Sequence, residues 1–343
     1  MKHDTNSLKN FSLLALFLII PFYSFSQNTI DKVDEKFNNI TSVNVEGSFC
    51  KVKITGEKRV NVAMTGEIVS SKNYDIKIRY EQDGQTLKVW LDRPRSIRGN
   101  IKGAINIKVP ANTNIEVINS SGGVVVENSG QCKINLTSAS GNISVRNIDS
   151  NITMTSSSGS MNIEDITGDV HATAASGTIS ASGIKGDFYC TTASGSQRIE
   201  GVKGNLKLTS ASGSILLKMI SGNVNARTSS GGIKAEHVTG ELTSLSSSGS
   251  IRLESVAGRL NLTTTSGSQR GTGIKLTGAS SFKSSSGSVS MQLINNADEL
   301  SFELHASSGR LFAKGSSGDK KLTITRGPIN IYGKTSSGSQ SYK

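Results

Sequence analysis

The feature that most constrains the fold is a Ser-Gly dipeptide that recurs at nearly constant intervals. Its successive glycines are separated by 19 residues, then seven times by 18, and finally by 20 and 22. Seven identical intervals are not a chance outcome, so the chain is a stack of similar structural units. The glycines are Gly122, Gly141, Gly159, Gly177, Gly195, Gly213, Gly231, Gly249, Gly267, Gly287 and Gly309.

Within each repeat, numbered from this glycine as position 0, apolar residues fall at positions 2, 4, 7, 11 and 13, with a small residue at 16. A second glycine at position 9 divides the repeat into two nine-residue halves. Apolar residues two apart are typical of short strands with alternate side chains facing inward. A glycine at each half-boundary permits the positive φ of a tight bend. The repeat from Gly249 shows the rule with Ile251, Leu253, Val256, Leu260, Leu262 and Thr265.

This pattern predicts an all-β fold, a parallel β-solenoid with 18-residue coils made of two nine-residue halves. We expect right-handed coiling and a flattened cross-section with two sheets, with a three-sided helix as the alternative. Coils about 4.8 Å apart would form a rod roughly 50 to 60 Å long. Helices are disfavoured because no 3.6-residue stripe exists and Gly, Ser and Thr crowd every segment. Serines at position 17 and threonines at position 14 should form hydroxyl rows that bond backbone groups at the bends.

The chain divides into four predicted segments: a signal peptide at 1–26, an antiparallel β-rich N-terminal cap at 27–118, solenoid repeats at 119–309, and C-terminal coils with a cap at 310–343. Residues 28–118 lack the period but alternate like strands, and Asp83-Gly84 is a hairpin signal. Both ends are expected to cover the open strand edges of the stack.

The N-terminus has the pattern of a secretory signal. Lys2 and Lys9 precede an apolar run from Phe11 to Phe22, and Ser26 suits the cleavage site. About 12 apolar residues are too few for a membrane anchor, which needs about 20. The sequence therefore predicts an exported protein, periplasmic or at the cell surface, with no transmembrane segment in the mature chain.

Composition and charge narrow the function further. Only 35% of residues are hydrophobic and 5% aromatic, which disfavours one large globular core. The net charge of +12 favours anionic partners. We expect a glycan or an envelope protein as partner and no nucleic acid. The odd number of cysteines defines no disulfide framework, so free thiols are predicted at Cys50, Cys132 and Cys190.

The sequence predicts neither a metal nor a cofactor. The glycine rhythm resembles that of calcium-binding β-rolls, but no aspartate row accompanies it, and Asp169, Asp187 and Glu241 at position 10 are interrupted by asparagines. His171 and His237 fall at different positions of the repeat, so they should not converge on a transition metal. No nucleophile motif of the Gly-x-Ser-x-Gly type is present.

Charged residues recur at two outward positions of the repeat. These residues form a candidate ligand-facing set. We interpret them first as a solvated strand face on which opposite charges compensate each other. The alternative is the cleft of a β-helix enzyme that cleaves acidic polysaccharide with paired carboxylates. No long loops wall such a cleft, so we expect a protein that is not an enzyme. The set consists of Arg198, Lys234, Arg252 and Arg270 at position 3 and Glu200, Glu236 and Glu254 at position 5.

Three stretches carry a family resemblance: Phe37 to Phe49, the run Ile105-Asn106-Ile107-Lys108-Val109-Pro110, and the Thr-x-Ser-Ser-Gly-x-Ile coils. Over residues 36–340 the chain resembles a bacterial family of unknown function labelled putative adhesin, itself similar to the auto-transporter adhesin head-domain (GIN) family. The resemblance implies a β-solenoid envelope protein without family catalytic residues. It favours an adhesin or binding scaffold, with a periplasmic structural or envelope-stress-related protein as a further alternative.

Overall fold

The structure is a computed structural model that describes residues 28–97 and 99–343. The predicted signal peptide lies outside the described residues. Apart from one short 3-10 helix, Ala297–Glu299, the regular elements of the described chain are strands. None of the helices described is long and apolar enough to cross a membrane.

The regular coils each contribute one longer strand to one sheet, called sheet A, and one shorter strand to a second, called sheet B. The predicted two-sheet cross-section is therefore the one that forms. The sheet B strands are β8 (Asn114–Asn119), β10 (Ile134–Ser138), β12 (Ile152–Ser156), β14 (Val170–Ala174), β16 (Phe188–Thr192), β18 (Leu206–Ser210), β20 (Val224–Thr228), β22 (Leu242–Ser246) and β24 (Leu260–Thr264). The sheet A strands are β9 (Val124–Gly130), β11 (Ile143–Asp149), β13 (Met161–Thr167), β15 (Ile179–Lys185), β17 (Gln197–Lys203), β19 (Ile215–Ser221), β21 (Ile233–Thr239), β23 (Ile251–Gly258) and β25 (Gln269–Leu276).

Equivalent residues of successive coils lie side by side. Ile233 pairs in parallel register with Ile215 on one side and Ile251 on the other. Positions 2, 4, 7, 11 and 13 point inward and are buried in one continuous apolar core between the sheets. The predicted parallel solenoid with 18-residue coils is confirmed.

The last inward-facing residue of the shorter strand is at position 15. Repetition of positions 2, 4 and 7 nine residues later had predicted position 16 instead. Ser210, Thr228 and Ser246 at position 15 are buried, whereas Ala175 and Ser229 at position 16 are exposed. Strict alternation continues from positions 11 and 13 because the five-residue strand is straight. The two nine-residue halves therefore do not bury equivalent positions.

The longer strand differs because it bends. Its position 6 has a left-handed backbone in every regular coil, for example φ 52° at Met219, 53° at His237 and 63° at Gly201. This residue interrupts the alternation, so both positions 4 and 7 face the core although they are three apart. The two halves of the repeat thus bury different patterns of residues.

The two glycine rows serve different purposes. At position 9 the glycines have positive φ, such as 150° at Gly222, as predicted for a bend. At position 0 the regular coils use glycine for close packing instead. A Cβ on Gly231 would lie 2.0 Å from the carbonyl oxygen of Gly213 in the preceding coil.

At the N-terminal end, part of the segment predicted as a cap belongs to the stack. The coil made by β2 and β3 lies between β8/β9 and β6/β7, with parallel pairing on both sides. Beyond it, β4 pairs antiparallel with β7 and β1, and β5 and β6 form the predicted hairpin. Parallel stacking therefore begins before residue 119. These strands are β1 (Asn28–Phe37), β2 (Ser42–Ser48), β3 (Lys51–Glu57), β4 (Val62–Ser70), β5 (Lys77–Asp83), β6 (Thr86–Asp92) and β7 (Ile101–Pro110).

The C-terminal strands are β26 (Ser280–Ser284), β27 (Val289–Leu293), β28 (Leu300–Ser308), β29 (Leu311–Ala313), β30 (Ser316–Gly318), β31 (Lys321–Ile324), β32 (Ile329–Ser337) and β33 (Gln340–Tyr342). Here the coils do not stack in chain order. The last coil, β32/β33, lies between β26/β27 and β28/β29. The glycine row accordingly passes from Gly287 to Gly338 and then to Gly309. Between Gly287 and Gly309 the chain therefore advances by two layers of the stack, whereas the sequence had suggested an advance of one.

Candidate functional site: the charged face of sheet A

The seven charged residues predicted as a ligand-facing set lie on the outer face of sheet A, on strands β17, β21, β23 and β25. The basic row, defined as Arg198, Lys234, Arg252 and Arg270, follows the axis of the rod. Arg252 pairs in register with Lys234 and with Arg270. Leu216 of β19 occupies the same row between Arg198 and Lys234. The structure therefore brings these cations together at intervals of one coil, about 4.8 Å, or two coils.

The acidic row, defined as Glu200, Glu236 and Glu254, runs beside the basic row. Glu236 is its best-partnered member, because it binds Lys234 of its own strand and lies 3.4 Å from the ammonium of Lys218 in the preceding coil. The hydrogen bond from Lys234, assisted by Lys218, holds the pKa of Glu236 below its ordinary value against the opposing effect of desolvation.

The expected compensation of charges is only partial. Of the three pairs two residues apart, Lys234 with Glu236 forms an ion pair. Within the described part of the chain, neither Arg198 with Glu200 nor Arg252 with Glu254 does so. Both arginines are exposed and extend into solvent. They leave guanidinium groups free to bind an anion.

A shallow groove runs along the basic row. Position 1 of these coils carries small residues, Ser196, Ser214, Gly232 and Ser250, so the surface is low beside the long basic side chains. The groove has a volume of about 600 Å³ and is lined by these residues together with Arg198, Leu216, Lys234 and Arg252. Hydroxyl and guanidinium donors along one line suit a ligand with anionic or hydroxyl oxygens.

The acidic and amide side chains at position 10 have a structural role that the sequence reading missed. The carboxylate of Asp169 accepts the backbone amide of Asp187, and the carboxylate of Asp187 accepts that of Asn205, at 2.9 and 2.8 Å. Asn205 and Asn223 continue the same row. The sequence feature that could have predicted this role is Asp or Asn directly after the glycine at position 9, because such side chains bond the backbone at turns.

The histidines lie far apart in the fold. His171 stacks on Tyr189 on sheet B with ring centroids 4.5 Å apart, His237 occupies a left-handed bend of sheet A, and His305 lies 3.0 Å from Glu303 near the C-terminal end. Across the described residues, no group of three or more His, Cys, Asp or Glu side chains could hold a metal ion.

The three cysteines are free thiols, as predicted. Cys50 and Cys190 are buried, and Cys132 is half-buried. Desolvation raises the pKa of Cys50 to about 12 and raises that of Cys190 further. Buried thiols of this kind behave as small apolar residues.

In the described coils, the row of hydroxyls that bonds backbone groups at the turns lies inside the stack at position 15, and not at the predicted positions 14 and 17. The hydroxyl of Ser246 accepts the amide of Gly249 and donates to the carbonyl of Gly231. Thr228 makes the same pair of bonds with Gly231 and Gly213. The hydroxyl of Ser210 accepts the amide of Gly213. These hydroxyls satisfy backbone groups where the chain turns between the sheets, so the abundant serine is partly structural.

Comparison with known proteins decides the family. The sequence profile of Toastrack DUF4097 matches residues 40–245 and 223–343. The chain belongs to the Toastrack DUF4097 family. No curated protein matches this Toastrack DUF4097 chain.

Several solved structures are similar to the Toastrack DUF4097 chain. A putative adhesin from Parabacteroides merdae is 11% identical, with 76% of this chain and 96% of that chain covered and a TM-score of 0.33. A putative adhesin from Bacteroides fragilis is 15% identical, with coverages of 78% and 98% and a TM-score of 0.28. A putative cell adhesion protein from Clostridium sporogenes is 10% identical, with coverages of 91% and 99% and a TM-score of 0.17.

Proposed function

We propose that the protein is an exported, non-catalytic binding scaffold of the bacterial cell envelope, which holds an extended anionic glycan along the charged face of sheet A. The observation that carries the proposal is the basic row, in which cations recur in register over neighbouring coils beside a groove of small hydroxyl residues. The predicted signal peptide supports export, and the net charge of +12 supports an anionic partner.

The geometry favours many weak contacts over one tight pocket. An exposed cation contributes little by itself, about 0 to 1 kcal/mol. Along a rigid rod, however, a polymer bound at one coil is held close to the next, so successive contacts reinforce each other. A polyanion with charges repeating at about the length of a sugar unit would engage several members of the basic row at once.

The test compares two triple variants of the mature chain. Arg198→Gln/Arg252→Gln/Arg270→Gln removes three cations of the basic row. Its matched control removes three exposed lysines at position 8 of the same sheet, so both variants lose the same charge: Lys185→Gln/Lys203→Gln/Lys275→Gln. Binding to polygalacturonate and to lipopolysaccharide is measured by calorimetry at two salt concentrations, with dextran as the neutral polymer.

We expect the basic-row variant to bind the polyanions at least about tenfold more weakly and with a shallower salt dependence, and the control to bind nearly as well as the wild type. Equal losses in both variants would show that only net charge matters and would contradict the proposed face. Release of reducing ends in the same mixtures, abolished by Glu254→Gln, would instead support the glycan-cleaving alternative.

The cell-envelope location has its own test. Fractionation of the producing cells and protease shaving of intact cells distinguish a surface-exposed rod, which is cut, from a periplasmic protein, which is protected. A cytoplasmic pool without cleavage after Ser26 would contradict export. The similarity of this family to the auto-transporter adhesin head-domain (GIN) family stays a prediction.

A further inference from the structure

A second groove lies on the opposite side of the molecule, on the outer face of sheet B near its C-terminal end. It has a volume of about 490 Å³, within the range of about 300 to 1,000 Å³ that is usual for small-molecule sites. It lies where the inserted coil β32/β33 meets β26 and β28, so it is made by segments far apart in the sequence. The proposed function assigns no role to this groove.

The floor of the groove is one row of outward side chains that crosses four neighbouring strands. Ser281 pairs in register with Asn261 on one side and with Tyr332 on the other, and Tyr332 pairs with Glu303. Because Ser281 is small, it leaves a notch between the taller Asn261 and Tyr332. We call this the Tyr332 notch. The side chain of Tyr332 borders the notch, because Tyr332 stands one strand away from Ser281.

The charges around the notch are mainly positive. The ammonium of Lys283 lies over the ring of Tyr332, 5.7 Å from its centroid, and Lys283 belongs to the same strand as Ser281. Lys321 lines the groove itself, and Lys283 stands beside it. Among the described residues that line the groove, the one carboxylate is that of Glu303, which lies on the other side of the ring and 3.0 Å from Nε2 of His305.

We infer that the Tyr332 notch binds a short acidic saccharide. A pyranose ring has an apolar C–H face, which can pack on the tyrosine ring, and a rim of hydroxyls, which can bond the amide of Asn261 and the hydroxyl of Ser281. A carboxylate or sulfate on the sugar is placed beside Lys283, whose contact with the ring is long and exposed. An aromatic wall opposite an amide, with a lysine at the rim, therefore matches a sugar that carries an anionic group.

The sheet B face offers a matched control. Tyr189 also stands on the outer face, at the equivalent position 12 of its coil, but His171 stacks on its ring in parallel, 4.5 Å away. The Tyr189 ring is therefore closely stacked, whereas the Tyr332 ring has only looser neighbours, the ammonium of Lys283 at 5.7 Å and the ring of His305 at 6.1 Å with a tilt of 45°. Tyr189 lies outside the groove.

The experiment measures binding of trigalacturonate, a heparin-derived tetrasaccharide and sialyllactose to the mature chain by calorimetry, with maltotriose as the neutral probe. Tyr332→Ala removes the ring, Tyr332→Phe keeps it, Ser281→Tyr fills the notch and leaves Tyr332 in place, Lys283→Gln removes the rim cation, and Tyr189→Ala is the control. Circular dichroism verifies that each variant is folded.

We expect at least one acidic probe to bind better than maltotriose. Tyr332→Ala and Ser281→Tyr each weaken this binding about tenfold or more, Lys283→Gln weakens it about threefold, and Tyr332→Phe and Tyr189→Ala leave it nearly unchanged. The inference is overturned if no acidic probe binds, if maltotriose binds as tightly, or if Ser281→Tyr and Tyr332→Ala have no effect. Since the basic row lies on the other sheet, its triple variant should retain this binding, so the two proposals fail independently.

Discussion

The backbone amide of Gly249 donates a hydrogen bond to the hydroxyl of Ser246, 2.9 Å away inside the turn between the two sheets. The same hydroxyl donates to the carbonyl of Gly231 in the preceding coil, at 3.0 Å. Loss of a buried hydroxyl with two backbone partners leaves both of them unsatisfied. Ser246→Ala should therefore lower the free energy of unfolding by about 1 to 3 kcal/mol.

Urea denaturation followed by circular dichroism measures this loss. Ser248→Ala is the control, because Ser248 is exposed two residues further along and its hydroxyl is not hydrogen-bonded in the described structure. An equal effect of both substitutions would mean that the interior hydroxyl row is not what stabilises the turns.

Substitution by alanine should destabilise the protein strongly at one of two adjacent glycines and hardly at the other. A Cβ on Gly231 would lie 2.0 Å from a backbone oxygen of the preceding coil, so Gly231→Ala should force the coils apart and cost about 3 kcal/mol or more. A Cβ on Gly232 would meet its nearest atom at 3.4 Å, so Gly232→Ala should change stability by less than about 1 kcal/mol. Thermal unfolding of the two variants in parallel provides the comparison.

Met219 holds a backbone conformation that favours other residues. Its φ is 52°, and equivalent coils carry asparagine there, with φ 58° at Asn128 and 55° at Asn147. Asparagine tolerates the left-handed region better than methionine, and the Met219 side chain is exposed. Met219→Asn should therefore raise the free energy of unfolding by about 0.5 to 1 kcal/mol.

The matched control for this gain is Leu245→Asn, which replaces another exposed apolar side chain on an ordinary strand backbone. Chemical denaturation should show no gain in this control. A stabilisation of similar size in both variants would assign the effect to surface polarity instead of backbone conformation.

Glu127 ties three strands together near the N-terminal end. Its carboxylate lies 2.9 Å from the ammonium of Lys53 and 3.0 Å from the guanidinium of Arg146. The hydrogen bond from Lys53, assisted by Arg146, lowers the pKa of Glu127 against the desolvation that opposes it. Because the folded pKa is below the unfolded one, about 4.3, the ionised carboxylate stabilises the fold above that pH.

Glu127→Gln should therefore cost about 1 kcal/mol at pH 7, and the difference from the wild type should shrink as the pH falls through the lowered pKa of Glu127. Denaturation midpoints measured from pH 7 to pH 3 test this, with Glu116→Gln as a control at an exposed carboxylate. A difference that grows on acidification would have the wrong sign.

Much of the regular stack could be predicted from the sequence because each coil has to bury the same positions. The register of Ile215, Ile233 and Ile251 follows directly from their 18-residue spacing. Position 15 was missed because Ser246 and its equivalents are small and polar, and their burial depends on hydrogen bonds to glycines that composition does not reveal. The left-handed bend at position 6 was missed because Gly, Asn, Asp, Met, His and Ser all occupy it.

The two proposed binding surfaces differ in how far the sequence could predict their residues. The basic row was predictable because periodic residues on one strand face must align, as Arg252 and Arg270 do. The Tyr332 notch was not, because it depends on the insertion of β32/β33 between two earlier coils. Pairing of Ser281 with Tyr332 joins residues that no period relates.

Through that insertion and the similar placement of β2/β3 near the other end, an early coil and the last coil of the chain each lie between two other coils. The coils between them stack in chain order with the same 18-residue period. Duplication or loss of one eighteen-residue unit between Gly141 and Gly267 would change the length of the stack by about 4.8 Å. The pairing of β2/β3 and of β32/β33 with their neighbours would be unchanged. The length of the rod can thus change during evolution in steps of one coil.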